Sequence, residues 1–533
     1  MFRKGAVTFI WLRAEIRLRY DENELLRGVK MIMKHAKIAL TLFCILIASM
    51  NSACSDTSAD LDSKPETEAT ANSEAENETA DTEKIPLGLP ETLDFENQTI
   101  RIWYFNKSDN SAEHFYDLQG NPEGDMIEAS LYDRNRYVEE TLNVTLEYED
   151  TGVGSGSVGP AIQKLMMAGD TSYDLFSVLQ WNTTKLALEH CFMDVSGLPY
   201  LDLDQPWWSK EYMNAFSIGK DSCFFLAGDI SLDMIRCLAA MYFNKNLLNA
   251  LYDSADLIYE DVLNGTWTYD KLLTYSQSAY LDLDGDNQVS PDDRFGILTN
   301  SYNNIDAFNF GMGMKFTERD ENNMPYLTLG DEHNVDIYNK IYKMVMETPS
   351  VYMNTKGNNT THDNIQKFKS GEALFLSGFL YTSEELRDMK EDYGIIPYPK
   401  FDEKQETYYS VIHDIATPMC IPVTCVNTEP VSAALEAMAY YSYYQVTPLY
   451  YETALKTKYS RDAVSSQIID IIHDNAATDF AYLYSAAMND IGAIMRTLIA
   501  QKTNDYASYY AKREKSSIKS LNDLIKKYEE ALQ

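Results

Sequence analysis

Residues Asp282 to Asp293 read DLDGDNQVSPDD and place oxygen-bearing side chains at loop positions 1, 3, 5, 9 and 12. These are Asp282, Asp284, Asp286, Ser290 and Asp293; Gln288, at position 7, can offer its backbone carbonyl. Hard oxygen donors at this spacing suit a calcium ion. Carboxylates this close repel one another without a cation, so a structural calcium is expected, with an affinity roughly in the micromolar to millimolar extracellular range. Asn287 stands where such loops usually carry glycine, and asparagine tolerates the left-handed backbone that the turn requires. The competing reading is an acidic surface turn.

A second reactive position is Cys54. Met31 to Cys54 reads MIMKHAKIALTLFCILIASMNSAC. Lys34 and Lys37 precede an apolar run, Ile38 to Ala48, and the small residues Ser52 and Ala53 precede the cysteine. The run suits a secretory signal and is short for a membrane span. The segment resembles a bacterial lipoprotein signal, which implies lipidation at Cys54, although Asn51 replaces the usual leucine. An ordinary signal cleaved after Ala53 or a short anchor helix are the alternatives. Residues 1–30 carry mixed charge, and translation is expected to begin at Met31 or Met33, making 1–53 a signal region. Residues 54–85 read as a tether behind the lipidated cysteine. Ser55 to Lys84 holds ten acidic and two basic side chains and no aromatic residue, too little apolar surface to offset ordering entropy.

Without residues 1–53, which carry nine basic and four acidic side chains, the formal charge moves from −36 to −41. So acidic a surface repels nucleic acid and anionic lipid headgroups. The 38 tyrosines supply flat apolar faces of the kind that stack on sugars. Beyond Cys44 and Cys54, five cysteines remain at spacings that match no zinc pattern. A Cys420–Cys425 pair and buried free thiols are both open.

From about Pro86 onward the chain is roughly 445 residues, enough for two lobes. Strand signals at Gln98–Phe105, Asn143–Glu149 and Tyr173–Leu179 alternate with helical spacing over Asp125–Leu142 and Ala161–Ala168. This β-α-β-α-β order predicts an open α/β sheet, with ligands at the carboxyl ends of its strands. The loops holding Asn106 and Lys107, and Trp181 and Asn182, are therefore the first candidates for a binding site. Helical periodicity returns over Glu436–Tyr451, Ala463–His473 and Ser516–Leu532. Tyr440, Tyr443 and Tyr444 share one helix face and read as packing, as do Trp207 and Trp208. Gly-rich phosphate loops, GxSxG elbows and HExxH motifs are absent from the sequence, and the seven histidines are scattered.

Several segments, in order, resemble extracellular solute-binding proteins of ABC importers, the branch related to maltose- and oligosaccharide-binding proteins. They are IRIWYF, AGDTSYDLF, PWWSKEYMNAFSIGKDSCFFLAGDIS, MYFNKNLL, GTWTYDKLL, FKSGEALFLSG, YGIIPYPK and YYETALKTKYSRDAVSSQIIDII. Gly265 stands where the family usually has proline. The resemblance implies a two-lobed, periplasmic-binding-protein-like α/β fold with hinge strands, an interlobe ligand cleft and C-terminal helices. It places lobe 1 at 86–225 and from about 405 to 533, and lobe 2 at 226–404. It also implies ligand contacts from Trp181 in one lobe and Phe379 or Tyr381 in the other, with Asp233, Arg236 and Asp414 near the crossovers as ligand or hinge groups. The loop 282–293 resembles the calcium loops of EF-hands and, with Gly285 and a terminal aspartate, those of dockerins.

The expected protein is a monomeric, lipid-anchored component of an ABC importer on the outer face of the cell membrane. It would hand a small solute, an oligosaccharide, to permease subunits without catalysing a reaction. A peptide ligand, a sensor or glycan-capture lipoprotein without a transporter, and a surface lyase or glycosidase are the rival readings.

Overall fold

The computed structural model describes residues 84–105, 118–219, 222–355, 360–459 and 462–531. Cys54, the signal region, most of the tether, Asn106 and Lys107 lie outside the described residues.

The first sheet begins with β1 (Gln98–Tyr104), β2 (Val144–Asp150) and β3 (Leu175–Ser177), all parallel. Ile100 and Ile102 of β1 are buried on alternate positions, as a half-covered strand requires. The helix Met126–Leu142 starts on a capping box, in which Asp125 accepts the backbone N–H of Glu128 and Glu128 returns the bond to Asp125. It ends on Asn143 in the left-handed conformation, φ 50°, which turns the chain directly into β2. The helix before β3 runs Ser155–Ala168, earlier than its apolar spacing indicates, with Pro160 inside it.

The second sheet takes β4 (Ala239–Asn244) and β5 (Phe295–Asn300); a hairpin, β6 (Thr317–Arg319) and β7 (Pro325–Leu327), follows outside it. β8 (Val351–Asn354), β9 (Ala373–Phe379) and β10 (Tyr393–Ile396) complete the order β10-β4-β9-β5-β8. β5 and β9 are buried along their whole length, the pattern of central strands covered on both faces. The chain then forms β11 (Ser410–Val411) and returns to the first sheet as β12 (Met419–Cys420), giving β12-β3-β1-β2.

Three segments that cross between the sheets lie side by side. Leu226 pairs with Met419 beside the first sheet, and Leu238 pairs with Ile412 beside the second. A third, β13 (Ala476–Ala477), runs parallel to β11. Asp233 ties the first crossing to the second by accepting the backbone N–H and the hydroxyl of Thr417, at 2.9 and 2.8 Å.

One helical run also spans the two halves. It is α-helical over Thr428–Tyr441, where it packs on the helix Met126–Leu142, and has wide π turns over Ser442–Val446 and Leu449–Tyr459, the latter packed on the helix Ala463–Asp474. Pro448 has no N–H to give the preceding turn, which accounts for local widening. Trp207 and Trp208 are buried, and both indole N–H groups donate 3.0 Å bonds to Glu436 of this run. Tyr440 and Tyr443 close on Trp207 with ring centroids at 5.3 and 6.2 Å. Cys191, Cys223, Cys237, Cys420 and Cys425 are all free thiols.

Candidate functional site

The carboxyl ends of strands from both sheets converge on the second crossing, Ile412 to Thr417. From β3, the backbone N–H of Gln180 donates to Ala416 at 2.8 Å. From β5, Asn303 meets the His413 ring. From β9, the Phe379 ring lies 4.5 Å from that of His413. An edge where two sheets end on a shared hinge is where an α/β protein holds ligands.

Trp181 occupies the first turn of the helix Gln180–Ala187, directly after β3, and keeps 37% of its surface exposed. Asn182 is buried, and its Oδ1 has no hydrogen-bond partner among the described residues. Phe379 and Tyr381 are buried, their rings stacked at 5.6 Å and 11°. Arg236 is also buried and pairs with Glu384 at 2.8 Å, while Tyr450 donates to the other oxygen of Glu384. Asp414 contacts His413 at 3.0 Å and Arg496 at 2.9 Å, and Arg496 also meets Asp306. Arg236, Phe379, Tyr381 and Asp414 are thus gathered around the His413 segment, with Trp181 and Asn182 joined to it through Gln180.

The charged cluster is strongly polarised. Burial pushes the Asp306 carboxyl up, to about 6, despite the adjoining Arg496 guanidinium. Burial also pushes Asp414 up, but Arg496 and His413 outweigh it and hold that carboxyl well below the usual range. Removing Arg496 would leave the buried Asp306 carboxylate without its counter-charge and Asp414 with His413 alone.

Two groups at this edge escape sequence reasoning. Tyr302 follows β5 and keeps 57% of its surface exposed, a second accessible aromatic at a strand end. FGILTNSYN carries the same strand-to-loop signal as the stretch before Trp181 and could have drawn attention to it. Arg496 lies 190 residues from Asp306, and no local pattern reports such a pair.

The loop 282–293 hangs between the helix Tyr269–Ala279 and β5, closed at its base by paired backbone bonds between Leu281 and Arg294, each 3.0 Å. Asp282, Asp284 and Asp293 each bring a carboxylate oxygen within 4.8 Å of the others. Asp286 is outside that group; one of its oxygens takes the backbone N–H of Gln288 at 2.6 Å. The Ser290 hydroxyl accepts from Asp292. Asp282 is turned inward by the N–H groups of Gly285 and Asn287, at 2.7 and 2.8 Å, and Asn287 has φ 59°. The buried Asp293 accepts from Tyr280, Leu283 and Ser290. The N–H of Asp286 pulls the Asp284 carboxyl down, yet partial loss of hydration and the neighbouring Asp286 and Asp282 carboxylates together raise it. A carboxylate oxygen can accept from these donors and still coordinate a hard cation, so the donor set fits calcium.

Solved structures share this architecture. A cyclo/maltodextrin-binding protein complexed with maltotetraose matches with a TM-score of 0.51 and 12% identity, covering 82% of this chain and 98% of that chain. An ABC transporter solute-binding protein from Thermotoga lettingae, bound with α-D-tagatose, also gives 0.51, at 11% identity over 80% and 100%. This chain has the two-lobed solute-binding-protein fold. UgpB from Mycobacterium tuberculosis in complex with glycerophosphocholine gives 0.50, at 11% identity over 82% and 98%. No protein-family model and no curated protein matches the sequence. Among the described residues no helix is long and apolar enough to cross a membrane.

Proposed function

We propose that this protein is the substrate-binding component of an ABC importer, tethered through Cys54 outside the cell membrane, and that it captures an oligosaccharide between its lobes without catalysing a reaction. The observation that carries the reading is the convergence of β3, β5 and β9 on one crossing segment, with Trp181 and Tyr302 as accessible aromatics after two of those strands. Flat aromatic faces beside amide and carboxylate groups suit the apolar faces and hydroxyls of a sugar. The maltotetraose and tagatose bound to structural neighbours agree with that ligand class.

The loop at Asp282, Asp284, Asp286, Gln288, Ser290 and Asp293 takes a structural calcium in this reading. It would pin the entry to β5, a central strand of lobe 2. The solute passes to permease subunits, the protein working as a monomer.

A thermal-shift panel of neutral oligosaccharides, peptides and polyamines tests the ligand class, because a molecule that binds only the folded state raises the melting temperature. Oligosaccharides should raise it. Stabilisation by peptides alone would replace the sugar assignment and leave the two-lobed capture reading in place.

A further inference from the structure

We propose a second small-molecule site at the third crossing, for an uncharged, ring-bearing, largely apolar ligand. A cavity of about 580 Å³ lies there, a volume within the range of small-molecule sites. It shares no lining residue with the edge around Trp181, Tyr302 and His413.

Its apolar walls come from both halves of the molecule. Ala215 belongs to the helix Lys210–Phe216, which packs with the helix Phe480–Leu483 beside the first sheet. Phe310 is in the last turn of the helix Asn303–Gly311 after β5, Met314 lies just beyond it, and Ala477 is on the crossing strand itself. Phe480 completes the apolar surface.

The charged groups of the lining already hold hydrogen bonds within the protein. Arg319 donates to the carbonyls of Ser217, Ala215 and Asn323, at 2.7, 2.8 and 3.1 Å, and sits over the Phe480 ring. Asp479 accepts the N–H groups of Phe316, Thr317 and Ala481 and the Thr317 hydroxyl. Lys315 pairs with Glu318 at 2.9 Å, and Tyr326 donates to the other Glu318 oxygen. The lining carries two basic side chains, Lys315 and Arg319, and two acidic ones, Glu318 and Asp479, so a charged ligand would lose hydration and meet no net counter-charge. The rings of an uncharged ligand would fill the space between Phe310 and Phe480. Because both halves and the crossing line the cavity, the affinity of its occupant depends on the hinge angle.

The test is fluorescence titration of the mature chain with N-phenyl-1-naphthylamine, which is neutral, has two aryl groups and carries one N–H. Saturable one-to-one binding is expected. Ala215→Leu and Ala477→Leu, which fill the cavity from opposite sides, should each weaken it by about tenfold or more. The same ring system bearing a sulfonate, 8-anilinonaphthalene-1-sulfonate, should bind about tenfold more weakly or worse. Non-saturating fluorescence, or undiminished affinity in whichever filled variant keeps the wild-type melting temperature, overturns the site. Equal or tighter binding of the sulfonate overturns the uncharged ligand class.

Discussion

Glu436 is buried between the indole N–H groups of Trp207 and Trp208 and also accepts the backbone N–H of Asp202. Burial raises its carboxyl to about 7, outweighing those bonds. The folded chain therefore holds this proton more tightly than the unfolded chain, whose glutamate titrates near 4.3. The stabilisation from protonated Glu436 is present below the unfolded value and is lost as pH rises to about 7. Melting curves across this window should show wild type losing stability, and Glu436→Gln, uncharged throughout, should lose less. Parallel curves would mean that this group does not titrate there. At the ligand edge, Trp181→Ala should weaken binding of the best oligosaccharide from the panel by at least about tenfold, or about 1.4 kcal/mol, at unchanged melting temperature. Titration calorimetry reads it, and unchanged affinity would take Trp181 out of the site. The place of Trp181 just after a strand is legible in the sequence, because the apolar run before it is a local signal. The burial of Phe379 and Tyr381 against His413 is not legible, because it depends on a segment more than thirty residues further on, where the chain leaves their sheet for the first one.

Elements with a strong local signal are the ones the sequence discloses. β1, the helix after it and β2 fall within a residue or two of their apolar patterns, because alternation and the Asp125 capping box act locally. β3 is shorter than its apolar run, Tyr173–Leu179, since Leu179 already caps the next helix. The hinge strands β11, β12 and β13 have two residues each and no periodicity to read. Asp479, at the third crossing, illustrates what holds such short pieces: it fixes the first residues of the β6 hairpin through the N–H groups of Phe316 and Thr317. Asp479→Ala should leave those buried donors unmatched and lower stability by about 2–4 kcal/mol in denaturant unfolding. A loss below about 0.5 kcal/mol would show that water replaces the carboxylate. For the acidic loop, chelator should lower the melting temperature of wild type but not that of Asp284→Ala. Indifference of wild type to both calcium and chelator would leave an acidic turn. The spacing of that loop was legible; the separation of Asp286 from Asp282, Asp284 and Asp293 required the folded backbone.

At the scale of the whole molecule, the chain crosses between two sheets, and three of the crossings are hydrogen-bonded side by side. The alternating strand order and the ordered family-like segments made the two-lobed α/β architecture legible without coordinates. The helical run through Thr428–Tyr459 was partly legible, its π-helical passage from one half to the other not at all, since helical periodicity does not say which lobe a face covers. Hinged lobes that share a cleft close when a ligand stabilises the closed arrangement more than the open one. Capture by closure is the central claim, and small-angle X-ray scattering of the mature chain tests it most directly, with and without a saturating oligosaccharide taken from the thermal-shift panel. The radius of gyration should fall on binding, with a smaller fall or none for Trp181→Ala at the same sugar concentration. An unchanged radius of gyration at demonstrated saturation of wild type would contradict capture by lobe closure.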